Sequence, residues 1–211
     1  MAEAMRISPL AHYAERFAQA RTDAIGFVEI PFATQLAVRV DPRSPAAPYV
    51  AEVIGGPLPS EPNTTRRYGG LDVMWLGPDE WLLVTTDGSD SDLETALRAR
   101  FDGQHASVTD VSAQRTIIEI AGRSARAVLA HGCALDLHPS RFGPGRCAQT
   151  LIARAHAILV GRGEDSIWLV VQVSFAEYLA DWLLDASLEE RVQCGLDAGT
   201  AVELPYSEVS P

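Results

Sequence analysis

The chain has 211 residues, of which 47% are hydrophobic and 21% charged, so it can bury a sizeable core and carries an ordinary share of charge. Its formal net charge of −11 argues against a nucleic-acid partner or an anionic membrane surface, because phosphate binding needs clustered arginine or lysine. All 17 basic residues are arginine, which excludes a Schiff-base lysine and a Walker A phosphate-binding loop on this chain.

We expect a soluble, cytoplasmic protein. Residues 1–17 include early acidic groups and no apolar signal-peptide core. No apolar run approaches the length of about 18 residues that a membrane-spanning helix needs. Cys133, Cys147 and Cys194 are odd in number and lack C-x-x-C spacing, so they do not indicate a secreted disulfide framework.

Residues 1–25 are predicted to form an N-terminal helical arm. Ser8 can cap a helix from Pro9 to about Ala20, since proline is tolerated at the first helical position. The apolar residues of this helix fall on one stripe: Leu10, Tyr13, Ala14 and Phe17. We expect the stripe to pack on the chain's own core.

The first half of the folded region, about residues 26–105, alternates strands and helices. Strands are predicted at 27–30, 35–40, 71–76 and 81–85, a short helix or extended piece at 49–54, and loops at 41–48 and 57–63. Ser91 and Glu94 have the spacing of a capping box, in which the two side chains satisfy N–H groups at the start of a helix.

The second half, about residues 106–190, repeats this order. An extended run ends in a turn at Asp110 and Ser112, and is followed by predicted strands at 115–120, 155–160 and 167–173. A short helix buries Ala125, Val128 and Leu129, with Gly132 as its left-handed C-terminal glycine, and a second capping box joins Ser174 to Glu177. Trp168-Leu-Val-Val echoes Trp81-Leu-Leu-Val, which indicates equivalent core positions in the two halves.

The repeat predicts the fold class. Each half has the order strand–helix–strand–strand–helix of a split βαβ (ferredoxin-like) unit, so residues 26–195 form one duplicated α+β domain. Helices are expected to cover antiparallel-rich sheets. Residues 196–211 form an acidic C-terminal tail that adds a last strand at 200–204 or frays.

Four residues of metal-ligating types lie close together in sequence: His131, Cys133, His138 and Cys147. Their spacing matches no common structural zinc pattern, so buried cysteines are the favoured interpretation and no metal site is predicted. A cysteine nucleophile paired with His138 or His156 is conceivable, but nothing in the sequence indicates a thiolate.

Two further groups of polar residues could bind something. Asp110, Ser112 and Arg115 could form a small site at a strand edge, although the favoured interpretation is that Asp110 and Ser112 fix a turn and Arg115 pairs with a neighbouring carboxylate. Arg66, Arg67 and Tyr68, together with the loop around Phe142, are predicted partner contacts, because exposed aromatic and arginine side chains anchor interfaces. We predict no catalytic and no cofactor-binding residues.

Three ordered segments carry a specific resemblance. They are T-D-V-S-x-x-R-T-x-I-x-I-x-G-x-x-A-R-x-V-L from Thr109, G-C-x-L-D-L-H-P from Gly132, and F-x-x-G-x-C-A-Q-T from Phe142. With residues 76–83 and 174–184, they resemble the gamma subunit of heterotetrameric sarcosine oxidase over about residues 8–190. More distantly, D-V-S followed by a strand and A-x-x-x-L is similar to the folate-binding fold of the glycine-cleavage aminomethyltransferase.

The resemblance implies an accessory role in one-carbon metabolism. Such a complex oxidatively demethylates sarcosine to glycine with hydrogen peroxide, and with tetrahydrofolate forms methylenetetrahydrofolate. FAD, FMN, NAD and the folate site are expected on the larger alpha and beta subunits and zinc on the delta subunit, while the gamma subunit is expected to contact alpha. The aminomethyltransferase places an acidic residue against folate, whereas residues 151–160 of this sequence contain none.

Two alternatives remain from the sequence. One is a free-standing folate-dependent aminomethyltransferase-like enzyme or folate-binding protein of the same fold. The other is an independent cysteine-dependent redox or hydrolytic enzyme, which thiol reactivity near neutral pH would reveal.

Overall fold

The computed structural model describes residues 6–86 and 91–196, without the side chains of 91 and 193–196. Its strands are β1 (Gly26–Ile30), β2 (Thr34–Val40), β3 (Thr65–Tyr68), β4 (Leu71–Gly77), β5 (Glu80–Thr85), β6 (Ala106–Asp110), β7 (Arg115–Ala121), β8 (Cys147–Ile152), β9 (Ala155–Gly161) and β10 (Ser166–Gln172). Its helices are α1 (Ala14–Ala20), α2 (Ala46–Ile54), α3 (Ser91–Arg100), α4 (Ala125–Ala130), α5 (Val173–Ala186) and α6 (Leu188–Leu196). The predicted strand at 200–204 lies outside the described residues.

The strands form two five-stranded antiparallel sheets. Sheet 1 has the order β3-β4-β5-β2-β6, and sheet 2 has the order β1-β7-β10-β9-β8. The predicted α+β class with antiparallel sheets is therefore confirmed. β3 and β8, which no predicted strand covered, complete the outer edges of the two sheets.

Each half of the chain contributes its first strand to the other sheet. β1 pairs with β7 from Gly26↔Ala121 to Ile30↔Ile117, while β6 pairs with β2 from Ala106↔Val40 to Asp110↔Leu36. The boundary between the sheets therefore does not coincide with the boundary between the halves near residue 105. Each sheet therefore contains one strand from the other half of the chain.

The molecule has four layers, with the two sheets stacked face to face between helices. α1, α4 and α5 pack on the outer face of sheet 2, through side chains such as Phe17, Leu129 and Leu179. α2 and α3 pack on the outer face of sheet 1 through Val50 and Leu97. A third apolar core lies between the sheets: Ile30, Met74, Leu82, Val84, Ile117, Ile158, Val160, Trp168 and Val170.

The N-terminal arm packs on the chain's own core, as predicted, but its start is organised differently. The arm is a 3₁₀ turn (Ala11–Tyr13) followed by α1, and the Ser8 hydroxyl donates to Glu29 at 2.6 Å instead of capping the helix. The Glu29 carboxylate also accepts from the Leu10 N–H at 3.3 Å and from the Thr116 hydroxyl at 2.7 Å. A carboxylate on β1 thus takes the role that the sequence assigned to Ser8.

Two other local predictions are wrong, for reasons of packing. α5 begins at Val173 with Gln172 at its N-cap and no side-chain cap bond, so Ser174 and Glu177 do not form a capping box. Gly132 is not left-handed. A β-carbon there would lie 2.6 Å from the Trp182 ring and 3.0 Å from the Ala153 nitrogen, so the position requires glycine for space.

The two echoing tryptophans lie on opposite faces of their sheets. Trp81 belongs to the core under α2 and α3, and its indole N–H donates to the Pro59 carbonyl at 2.9 Å. Trp168 belongs to the core between the sheets. Because neighbouring residues in a strand point to opposite faces, the two tetrapeptides are out of phase by one residue, and the predicted equivalence is wrong.

The long Gly/Pro-containing loop between α4 and β8 is held by one arginine. The Arg126 guanidinium donates to the carbonyls of Leu137 at 2.6 Å, Phe142 at 2.7 Å and Glu164 at 2.8 and 2.9 Å. Gly161 lets the same loop approach β9, since a β-carbon there would meet the Gly143 oxygen at 2.1 Å. Within the described residues no helix is long and apolar enough to cross a membrane.

Candidate functional site

The space between the sheets contains a buried ion pair. Asp72 on β4 accepts from Arg162, which follows β9, at 2.5 Å, and their side chains are only 3% and 12% exposed. The Arg162 guanidinium also lies 3.8 Å from the centroid of the Trp168 ring, a cation–π contact. The pair therefore joins sheet 1 to sheet 2 at a point where both charges are removed from water.

Glu119 on β7 is a second buried carboxylate beside this pair. Its Oε1 accepts from the Ser166 hydroxyl at 2.6 Å, whereas its Oε2 is buried without a hydrogen-bond donor. Burial raises the pKa of Glu119, an effect that the Ser166 hydrogen bond and the Arg162 charge oppose. The site has the character of a structural polar cluster, closed to solvent by both sheets.

Replacing Glu119 with glutamine is expected to change how stability depends on pH. Below the pKa of the unfolded chain, Glu119 is protonated in both states and costs nothing. As the pH rises through the interval between the unfolded and the raised folded pKa, Glu119 ionises in the unfolded chain but stays protonated in the folded chain, so the wild type loses stability. The free energy of unfolding of Glu119→Gln should therefore increase relative to that of the wild type as the pH rises through this interval, and the difference should then become constant. Urea unfolding from pH 4 to 9 measures this. A difference that does not change with pH would contradict the raised pKa of Glu119.

The four residues considered as metal ligands are not brought together. Cys133 is buried in the core under α4 and α5, and Cys147 in the core between the sheets. His138 is exposed and hydrogen-bonds to Ser140 at 2.8 Å. Among the described residues there is no cluster of three or more His, Cys, Asp or Glu side chains placed to hold a metal ion.

The Cys147 thiol is positioned as a hydrogen-bond donor and not as a nucleophile. Its sulfur lies 3.2 Å from the Thr64 carbonyl and 3.5 Å from the Trp75 carbonyl. Burial raises the pKa of Cys147 to about 11, since a backbone hydrogen bond with Trp75 and the charge of the nearby Arg146 offset only part of the desolvation. The thiol is therefore protonated at neutral pH.

We expect Cys147 and the buried Cys133 to resist aromatic disulfide reagents at pH 8 until the chain unfolds. The measurement is thiol release from native and urea-unfolded chain, with Cys147→Ser and Cys133→Ser as matched controls and Cys194→Ser as background. The side chain of Cys194 lies outside the described residues. Rapid native reaction that disappears in Cys147→Ser would contradict this prediction.

Asp110 and Ser112 form a turn. The Asp110 carboxylate accepts from the Ser112 N–H at 2.8 Å and from its hydroxyl, and the Ser112 Oγ accepts from the Gln35 N–H at 2.9 Å. These bonds fix the crossing between β6 in sheet 1 and β7 in sheet 2. Arg115 is half-buried, and burial lowers the pKa of its guanidinium while the Glu80 charge opposes that effect.

The predicted contact residues have different environments. Arg66 and Arg67 are exposed on β3, at one edge of sheet 1, and Arg67 donates to the Gly69 carbonyl at 3.0 Å. Tyr68 is half-buried, its hydroxyl donating to the Pro57 carbonyl at 2.6 Å. Phe142 is buried in the core of sheet 2, so the expectation of an exposed aromatic there is wrong. Arg126 draws this loop inward through the Phe142 carbonyl.

The structure also contains a cleft that the sequence did not reveal. A cleft of about 440 Å³ lies at the end of sheet 2 where β10 finishes. Its lining residues include no carboxylate: Arg115, Gln149, Thr150, Leu151, His156, Ala157, Ile158, Val170 and Gln172. Residues 151–160, in which the sequence has no acidic group, form the hairpin along one wall.

Comparisons with known proteins agree with this architecture. The profile of the "Sarcosine oxidase, gamma subunit family" matches residues 39–189. The chain is 38% identical over 187 residues to a sarcosine oxidase subunit gamma from Arthrobacter sp., covering 88% of this chain and 91% of that one. It is 36% identical, with the same coverage, to the subunit gamma of Corynebacterium sp. (strain P-1).

Two solved structures are similar as well. Heterotetrameric sarcosine oxidase from Corynebacterium sp. U-96, in complex with pyrrole 2-carboxylate, contains a chain that matches with a TM-score of 0.83 and 32% identity, covering 93% of this chain and 99% of that one. Glycine cleavage system aminomethyltransferase T from Bartonella henselae matches with a TM-score of 0.67 and 17% identity, covering 94% of this chain and 64% of that one, which shows a shared fold. With its aminomethyltransferase-like fold and this level of identity, the chain belongs to the sarcosine oxidase gamma subunit family.

Proposed function

We propose that the chain is a non-catalytic subunit of a heterotetrameric sarcosine oxidase, where it serves assembly and structure. The proposal rests on one observation: side chains of the types that act in catalysis are engaged here in structural hydrogen bonds and ion pairs. The Cys147 thiol donates to two carbonyls, Asp110 closes a turn with Ser112, and Asp72 pairs with Arg162. None of these groups stands beside an open cavity with a base or nucleophile as its neighbour.

The reaction itself is proposed to occur on other chains. The complex would oxidatively demethylate sarcosine to glycine with hydrogen peroxide and, with tetrahydrofolate, yield methylenetetrahydrofolate. FAD, FMN, NAD, tetrahydrofolate and zinc would be bound by the alpha, beta and delta subunits. The carboxylate-free lining of the cleft supports the proposal that this chain does not provide the folate site.

The test is to purify this chain, tagged, from a host that also expresses the other subunits. We expect larger flavin-carrying chains to co-elute in stoichiometric amounts, with sarcosine-dependent peroxide formation. Omitting the chain should lower the yield or thermal stability of the complex, whereas Cys147→Ser and Asp110→Asn complexes should keep their kcat. A colourless chain that elutes alone and binds tetrahydrofolate would overturn the proposal in favour of a free-standing folate protein.

We further propose that the β3 edge contacts the alpha subunit. Arg66 is exposed there and has no ion-pair partner within the described part of the chain. Arg66→Glu should lower the amount of alpha subunit that co-purifies, and Arg43→Glu, on the exposed β2–α2 loop, is the matched charge reversal that should not.

A further inference from the structure

One end of sheet 2 concentrates exposed apolar side chains. Within the described residues, eight large hydrophobic side chains are exposed, and six of them belong to segments that adjoin the end of sheet 2 where β1 and β10 finish. These are Ile7 and Phe32 before and after β1, Leu151 on β8, and Val173, Phe175 and Tyr178 on the first two turns of α5. The other two, Leu188 and Val192, are on α6. A grouping of this kind on a water-soluble surface indicates contact with another molecule.

The strand registers place these residues along one edge. Gln172 lies opposite Arg115, Val171 opposite Ala157, and Leu151 opposite His156, while Phe32 follows the end of β1 by two residues. Four strand spacings separate β1 from β8, which makes the edge about 20 Å long. We call this edge, with its exposed apolar residues and the arginines beside them, the open-end surface.

The open-end surface carries three arginines, although the chain as a whole has a net charge of −11. Arg6, Arg115 and Arg154 lie on it, and in the described ranges none of the three has a carboxylate within ion-pair distance. Arg6 lies 4.9 Å from the centroid of the Phe32 ring instead. Glu80, which acts electrostatically on Arg115, is already paired with Arg39 at 2.6 Å.

Phe32 adds evidence that the surface is not simply solvated. Its φ of +55° lies in the left-handed region that non-glycine residues avoid, and its side chain is 48% exposed. A strained backbone thus holds a large aromatic ring that is about half exposed, with the Arg6 guanidinium over its face. Packing of the ring against a partner would offset both the backbone strain and the exposure of Phe32.

We propose that the open-end surface is a docking site for an acidic, apolar surface of another subunit of the complex. Charge complementarity selects this occupant. Three arginines that have no ion-pair carboxylate among the described residues would gain carboxylate partners from such a surface, and the apolar side chains between them would gain apolar cover. The inference rests on the proposed function and adds to it the face and the chemistry of the contact.

The test uses the co-expressed complex, purified through a tag on another subunit, with the amount of this chain quantified. Arg154→Glu, Leu151→Ser and Phe32→Gly are expected to reduce its retention about tenfold or more, as loss of interface anchors does. Arg43→Glu and Val192→Ser are the matched controls at an exposed arginine and an exposed apolar residue elsewhere, and should be retained like the wild type. Retention of wild type should also fall as salt is raised.

Phe32→Gly separates docking from folding. Glycine adopts the left-handed conformation without strain, so this variant should melt at or above the wild-type temperature as a free chain and still assemble poorly. Normal retention of the three open-end variants, or selective loss of Val192→Ser, would overturn the docking inference. If the wild type itself is not retained, the proposed function fails instead, so the two failures are distinguishable.

Discussion

Replacing Asp72 with alanine is expected to lower the free energy of unfolding by about 3–5 kcal/mol, the usual cost of removing one partner from a buried ion pair. Arg162 is only 12% exposed, and its charge would remain against the Trp168 ring without the carboxylate that pairs with it. The two partners lie on different sheets, so the loss should loosen the stacking of the layers. Urea unfolding of the purified chain at pH 7.5 measures the effect.

A surface pair provides the control. Arg39 and Glu80 also bond at 2.6 Å, but their side chains are 57% and 37% exposed, so Glu80→Ala should cost only about 0–1 kcal/mol. Combining Asp72→Ala with Arg162→Met removes the unpaired charge and should recover part of the lost stability. A cost below about 1 kcal/mol for Asp72→Ala would show that Arg162 reaches water and that the pair does not join the sheets.

Replacing Arg126 with methionine is expected to lower the free energy of unfolding by about 3 kcal/mol or more, because several hydrogen bonds to one charged group are lost together. The guanidinium serves the carbonyls of Leu137, Phe142 and Glu164, so the loop between α4 and β8 should detach from the β9–β10 hairpin. Arg126→Lys should recover little, since one ammonium cannot reproduce the planar fork. Urea unfolding and limited proteolysis of residues 131–146 measure both effects.

Arg98→Met on α3 is the matched control, because Arg98 pairs with Glu94 on an exposed helix face and such pairs contribute about 0.3–0.5 kcal/mol. The loop should remain protected from protease in that variant. If Arg126→Met keeps both its stability and the protection of the loop, then the buried position of Phe142 is maintained by apolar packing alone, and the role assigned to Arg126 is wrong.

Sequence patterns were sufficient for the features that depend on neighbouring residues. The spacing of Ala125, Val128 and Leu129 predicted a one-sided helix, and all three side chains are fully buried. Strands such as β7 were located to within a residue by their β-branched runs. The ordered segments from Thr109 to Thr150 were specific enough to indicate the family.

Predictions failed where the outcome depends on contacts distant in sequence. Ser8 has the right residue type for a cap, but Glu29, 21 positions away, offers a stronger acceptor. The loop composition around Phe142 predicted an exposed aromatic side chain, but in the structure Arg126 donates a hydrogen bond to the Phe142 carbonyl and the ring is buried. Trp168 faces the space between the sheets, whereas Trp81 faces the helices, and the tetrapeptides that contain them are too similar to reveal the difference.

Sequence patterns were enough to predict the α+β class, most of the strands and helices, and the family, because periodicity and turn residues act over a few positions. Three features depend instead on contacts distant in sequence: β1 and β6 change sheets, Asp72 meets Arg162 across 90 positions, and a cleft lies at one end of sheet 2. These features follow from how two twisted sheets stack. Stacking is set by the summed packing of both inner faces, and no local pattern encodes that sum.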